Sequence, residues 1–215
     1  MTGHDDFAFE PIAGLPERPP AGEEILWQGR PSVWALARDA FKIYWIAAYF
    51  VALVIWRMQV AFSAGGMGRA IAVGIPHLAV GALVCLVVLV LAFAQARACM
   101  YTITSSRVVM RIGAALSVTF NLPFSQIGAA NLNLHRTGTG TIVLETLGDT
   151  KISYLVAWPH VRPWQFTRTQ PALRSIPDAA RVSRVLSDAA EHRLSLPMIA
   201  RKDAPPAPVG AVIAK

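Results

Sequence analysis

Five histidines and two cysteines are the side chains best suited to hold a metal or to serve as base and nucleophile, and their spacing decides what they could do. His4, His77, His135, His160 and His192 stand far apart, and no HExxH, CxxC or Ser-His-acid grouping occurs. Hydrolytic, metal-dependent and thiol chemistry have no constellation behind them, so the chain reads as non-catalytic, with no metal or cofactor expected. Fourteen helical residues would hold Cys85 and Cys99 about 21 Å apart, too far for a bridge, which suits a reducing compartment. Gly138 and Gly140 hint at a phosphate cradle, but they lie between two strand-like runs, where a hairpin turn belongs.

Two groupings stay open. His77 sits inside an otherwise apolar run, where an imidazole can ligate a metal or serve as a polar residue near the outer interface, hydrogen-bonded within the helix hairpin. Pro76 beside it and its early position in the run favour the second. The stretch Trp158 to Trp164 packs Trp158, Pro159, His160, Arg162, Pro163 and Trp164 into seven residues. Its rigid aromatic and guanidinium groups are of the kinds enriched at binding hot spots. Closing the fold before the last helix is the simpler reading. Arg162, Arg168 and Arg174 could face lipid phosphate or an acidic partner.

The elements that must position these groups are partly apolar. Apolar residues make up 54% of the 215 and charged residues 15%, with a net charge of +7, so a wholly water-soluble globule is not expected. Residues 70 to 96 carry no charge over 27 positions, about 40 Å of helix against a hydrocarbon core of about 30 Å. A first, less clean span runs from about 41 to 62. There Lys42 and Arg57 snorkel to opposite head-group layers, and Tyr44, Trp45 and Trp56 serve as interfacial aromatics. The glycine-rich residues between them suit a helical hairpin over 41–97. Arg30, Arg38 and Lys42 before it and Arg97, Arg107 and Arg111 after it outnumber Arg57 and Arg69 in the turn, which places both termini in the cytoplasm.

Residues 1–40 form an acidic, proline-rich cytoplasmic segment unlike a signal peptide. Residues 98–195 read as an antiparallel β-domain. Short runs at CMYTITS, RVVMRIG, LSVTFNL, IGAANLNLH, TIVLETL and KISYLVA alternate with turn residues, a spacing that predicts an antiparallel meander curled into a small barrel or sandwich. Alternation puts Tyr101, Ile103, Val108, Met110, Ile112, Val118, Phe120, Ile142 and Leu144 on the core face. From Pro177, Val182, Val185, Leu186, Ala189 and Ala190 recur at helical spacing, predicting one amphipathic helix that plugs the barrel. The tail, 196–215, is proline- and alanine-rich and expected to be disordered. The basic excess lies in residues 97–215 and forms no Lys/Arg block, so nucleic acid is not expected as a partner, whereas anionic lipid is.

GEEILWQGRP before the first span, then YTITSSRVVMRIG and LPFSQI, resemble the bacterial PH-like membrane proteins. The longer stretch FNLPFSQIGAANLNLHRTGTGTIVLETLGDTKISYLVAWPHVRPW, with PALRSIPDAARV, resembles the purple-bacterial branch of photosynthetic-complex assembly proteins. The resemblance implies a PH-type barrel behind two transmembrane helices. It also implies a non-catalytic assembly role in the intracytoplasmic photosynthetic membrane, with reaction-centre and core antenna subunits as partners, and it leaves self-association open. A lipid-binding or scaffold module is the alternative function. In such a membrane the metal open to His77 would be the magnesium of a bacteriochlorophyll.

Overall fold

The computed structural model describes residues 12, 14, 15, 17–114, 117–148 and 152–195. The expected tail over 196–215 lies outside the described residues. The elements run β1 (Ile25–Gly29), α1 (Val33–Asp39), α2 (Ile43–Ala98), β2 (Met100–Thr104), β3 (Arg107–Ile112), β4 (Val118–Pro123), β5 (Ile127–Leu134), β6 (Gly140–Thr146), α3 (Tyr154–Ala157), β7 (Ala172–Ile176) and α4 (Ala179–Ser195).

α2 is apolar on all sides, as a helix in lipid is, and is long and apolar enough to cross a membrane. Only 11% of its most apolar stretch is buried, which a core helix of a soluble protein would not tolerate. Two helical arms at about 41–62 and 70–96 joined by a short glycine-rich turn were expected, and the helical element breaks inside that turn. Gly65 (φ −170°, ψ 21°) and Gly66 (φ 71°, ψ −166°) leave helical geometry, and the arms 43–64 and 67–98 fold back on each other. A Cβ on Gly74 would fall 2.7 Å from Met58 Sδ, and one on Gly81 2.8 Å from Phe50 Cβ. Both pairs are symmetric about the break, so the glycines let the arms approach closely. Gly66 occupies a backbone region essentially reserved for glycine, so Gly66→Val is expected to cost about 2 kcal/mol. Thermal unfolding in detergent checks this against Gly68→Ala, whose added Cβ meets nothing within 4 Å and which should leave the melting temperature unchanged.

The strands form two antiparallel sheets, β1-β2-β3-β4 and β5-β6-β7. The barrel expectation is corrected here, because the sheets do not close. The chain turns from β4 into β5 through a single 3-10 turn at Phe124–Gln126, so these strands share no ladder. α4 lies across the opening, with Val182, Leu186 and Ala189 buried against the core. The core face expected from alternation is observed in β2 and β3. Tyr101 pairs with Met110 and Ile103 with Val108, all four fully buried, and Ile142 and Leu144 face them from the second sheet. Val118 and Phe120 are only half-buried. The opposite face of β2 and β3 is covered as well, since Thr102, Thr104 and Val109 are buried.

Two strands differ from expectation. The described part of KISYLVA, residues 152–157, is not a strand: Tyr154–Ala157 is one helical turn, with Ala157 buried and the Tyr154 ring against Phe166. The third strand of the second sheet is β7, and Leu173 pairs with Ile142. The segment before the hairpin returns as β1, which pairs with β2, so the β-domain takes its edge strand from ahead of α2. Arg107 clamps this return by donating from Nε and Nη2 to the Glu23 carboxylate at 2.7 and 2.9 Å. Burial opposes the charge on Glu23, but the Arg107 bonds outweigh it and hold the carboxyl below its ordinary range. The glycines at 138 and 140 do lie in a hairpin turn, where His135 N–H donates to the Thr139 carbonyl at 2.8 Å.

Candidate binding face at the foot of the hairpin

Strand β2 starts two residues after α2 ends, so the sheet's first inward side chains lie directly against the helix terminus. Cys99, the residue that ends α2, and Tyr101 are both fully buried, and His160 comes up beside them from the loop after α3. Tyr101 Oη accepts the Arg174 backbone N–H at 3.1 Å and lies 2.6 Å from His160 Nδ1. The direction of the Tyr101–His160 bond follows the tautomer of the neutral ring, and Nε2 is a buried atom with no partner among the described residues. Burial and then the Arg174 charge drive the His160 pKa down to about 3. Burial pushes the Cys99 thiol up to about 12 and holds the Tyr101 phenol well above its ordinary value. At neutral pH every member of this network is therefore uncharged except Arg174, and none is an activated nucleophile or base.

Arg174 ties the network to the hairpin. Its Nη1 donates to the Pro159 carbonyl and its Nη2 to the Asp39 carbonyl, each at 3.2 Å, so one guanidinium joins β7, the 158–164 loop and the end of α1. The Asp39 carboxylate is held by Arg38 at 2.7 Å and by His135 Nε2 at 3.0 Å. Ser32 N–H donates to the Ser175 carbonyl at 2.8 Å. On the other side of α1, Ala37 packs with Ile43, Val88 and Ala92 of the two arms. The Phe41 ring meets Trp158 edge to face at 5.3 Å. The β-domain is thus fixed to the open end of the hairpin by hydrogen bonds, ion pairs and apolar contacts together.

A cavity of about 680 Å³ opens beside this seam, with Asp39, Lys42, His135, Arg162, Pro163 and Arg174 in its wall. Arg162 reaches Gln170 at 3.0 Å and Glu145 at 3.9 Å. The structure divides the Trp158–Trp164 grouping. Pro159 and His160 are buried and so are not surface contacts, a correction that follows from the core position of the imidazole. Trp158, Arg162, Pro163 and Trp164 are exposed. Arg174, expected to face lipid or a partner, is also buried. Residue spacing did not point to Tyr101, Asp39 or Arg174 as one cluster. The only signal for it was an arginine inside the otherwise buried run ALRSI.

The expected interface anchors lie on the hairpin surface. Lys42 caps α2 in a left-handed conformation, Tyr44 and Trp45 are exposed in its first turn, and Trp56 and Arg57 are exposed farther along the first arm. Arg97 stacks over the Phe93 ring at 5.2 Å. His77 Nδ1 donates to the Val73 carbonyl at 2.8 Å, one turn back. The ring borders a small gap between the arms, with Phe50, Leu53, Pro76 and Val80. Cys85 and Cys99 are free thiols, and the described residues contain no cluster of metal-binding side chains.

Residues 41–190 match the family described as Bacterial PH domain, bPH_2. The chain is also similar to a Rhodobacter capsulatus protein named "Uncharacterized 23.7 kDa protein in puhA 5'region". The two are 48% identical over 201 residues, which cover 93% of this chain and 94% of that protein. No solved structure gives a significant match. With more than half its length matched, and with β-strands and a final helix where the resemblance implied them, the chain belongs to the bacterial PH domain family.

Proposed function

We propose that this protein is a non-catalytic assembly factor of the PuhB type, anchored in the photosynthetic membrane and binding reaction-centre and core antenna subunits while they assemble. The observation that carries the reading is the 48% identical relative named for its place beside the photosynthesis gene puhA. The rigid seam between hairpin and β-domain supports it, because a scaffold must hold its partner at a fixed height and angle. Both arms of α2 cross the bilayer in this reading, with the β-domain and both termini on the cytoplasmic side. The arms shield apolar helix surface of a newly inserted subunit, and the β-domain holds it at head-group level. Binding of this kind lowers the population of unassembled subunits by mass action and requires no chemical step.

Deletion of the gene is expected to lower reaction-centre absorbance several-fold and to leave non-photosynthetic growth unaffected. A membrane-anchored lipid-binding or scaffold module, the second reading allowed by the fold, would impair both. A reporter fused after Lys215 should be active only in the cytoplasm, and activity outside the inner membrane would overturn the topology.

A further inference from the structure

We propose that the loop from Tyr154 to Phe166 is a second membrane contact, an aromatic wedge seated in the lipid head-group layer beside the hairpin. The proposal rests on the reading that α2 is embedded in a bilayer. Leu155 is 86% exposed, Trp164 84% and Phe166 63%, and large apolar side chains are left so open when something other than water covers them. Trp164 and Phe166 form one patch with Tyr154: the Phe166 ring lies tilted against Tyr154 at 4.5 Å and meets Trp164 edge to face at 6.5 Å.

Position selects lipid as the cover. Trp158, in the middle of this loop, packs on Phe41, two residues before α2 begins. Pro163, the neighbour of Trp164, shares a cavity wall with Lys42, the residue that caps α2. The same end of the hairpin carries Trp34 against Tyr44 at 6.0 Å, and Trp45, which is 76% exposed. The aromatic belt at the foot of the hairpin therefore continues onto the β-domain through Phe41 and Trp158. Tryptophan is favoured at the boundary between acyl chains and head groups, and the exposed Arg162 and Arg168 bracket Trp164 with charges that complement lipid phosphate. With the wedge in place, the β-domain is held to the bilayer at two points, which fixes its tilt as well as its height.

Spin labels test this in the full-length protein, reconstituted in nanodiscs of phosphatidylcholine and phosphatidylglycerol. Cys85→Ala provides the background, and the fully buried Cys99 is left in place. Single labels go on Trp164→Cys and Phe166→Cys, with Val87→Cys on the hairpin and Ser125→Cys at the far end of the first sheet as references. Power saturation should show oxygen-to-nickel collision ratios at 164 and 166 that lie between those at Val87 and Ser125 and clearly above that at Ser125. Labels at 164 and 166 as open to nickel as Ser125, beside a lipid-buried label at 87, would overturn the wedge and leave the hairpin reading standing. A nickel-accessible label at 87 would overturn the hairpin reading itself. Labels open to nickel in nanodiscs but shielded from both reagents in native membranes would give the face to a protein partner instead.

Discussion

Replacement of Arg174 by methionine is expected to destabilise the protein by about 3 kcal/mol, measured by thermal unfolding in detergent. Two effects oppose each other. Removing a buried guanidinium relieves its desolvation, which is large enough here to lower its pKa, and a methionine of similar length would fill much of the space. Against this, two charge-assisted bonds are lost, and the Pro159 and Asp39 carbonyls lose these donors. Two unsatisfied acceptors at about 1 to 3 kcal/mol each outweigh the relief. The variant should also let the hairpin move against the β-domain, seen as a broader distance distribution between labels at Val87→Cys and Ser125→Cys. A change under about 1 kcal/mol with an unchanged distribution would show that the ion's own desolvation cancels its contacts.

Mild acid is expected to weaken the fold through His160. Its folded-state pKa, about 3, lies below its ordinary 6.5, so between these values the unfolded chain binds a proton that the folded chain does not. Stability is therefore complete above pH 6.5 and is lost as pH falls below it, at about 1.4 kcal/mol per pH unit. Going from about pH 7.5 to about pH 5 should remove roughly 2 kcal/mol. Glu23 does not confuse this window, because its depressed carboxyl contributes above its unfolded value of 4.5 and that contribution is lost only below it. His160→Gln keeps an acceptor for Tyr101 Oη and cannot charge. Its stability is expected to start lower at neutral pH and to stay nearly level down to about pH 5. A variant with the wild-type slope would clear His160 of the effect.

The hairpin, strands β2 to β6 and α4 are legible because each depends on a local period. Twenty-seven uncharged residues demand an apolar environment, Tyr101-Ile103 and Val108-Met110-Ile112 alternate, and Val182, Leu186 and Ala189 recur on one helical face. KISYLVA misleads for the same reason, since its β-branched and aromatic residues favour a strand until Tyr154 finds Phe166 and Ala157 is buried. β7 escapes notice because both its faces are covered, which erases alternation, and because Arg174 looks like a surface residue until its partners are known. Of the Trp158–Trp164 grouping, sequence marks the place but not the side: no spacing rule says that His160 turns inward while Trp164 turns out.

Periodicity and charge by themselves thus determined that an apolar helical pair leads straight into an antiparallel β-domain, because these signals act between residues a few positions apart. Tertiary structure alone decided that the sheets stay open under α4 and that one arginine joins three distant segments. The arginine's role depends on which buried donor meets which acceptor between residues 73 to 135 positions apart, a distance over which no local pattern carries information.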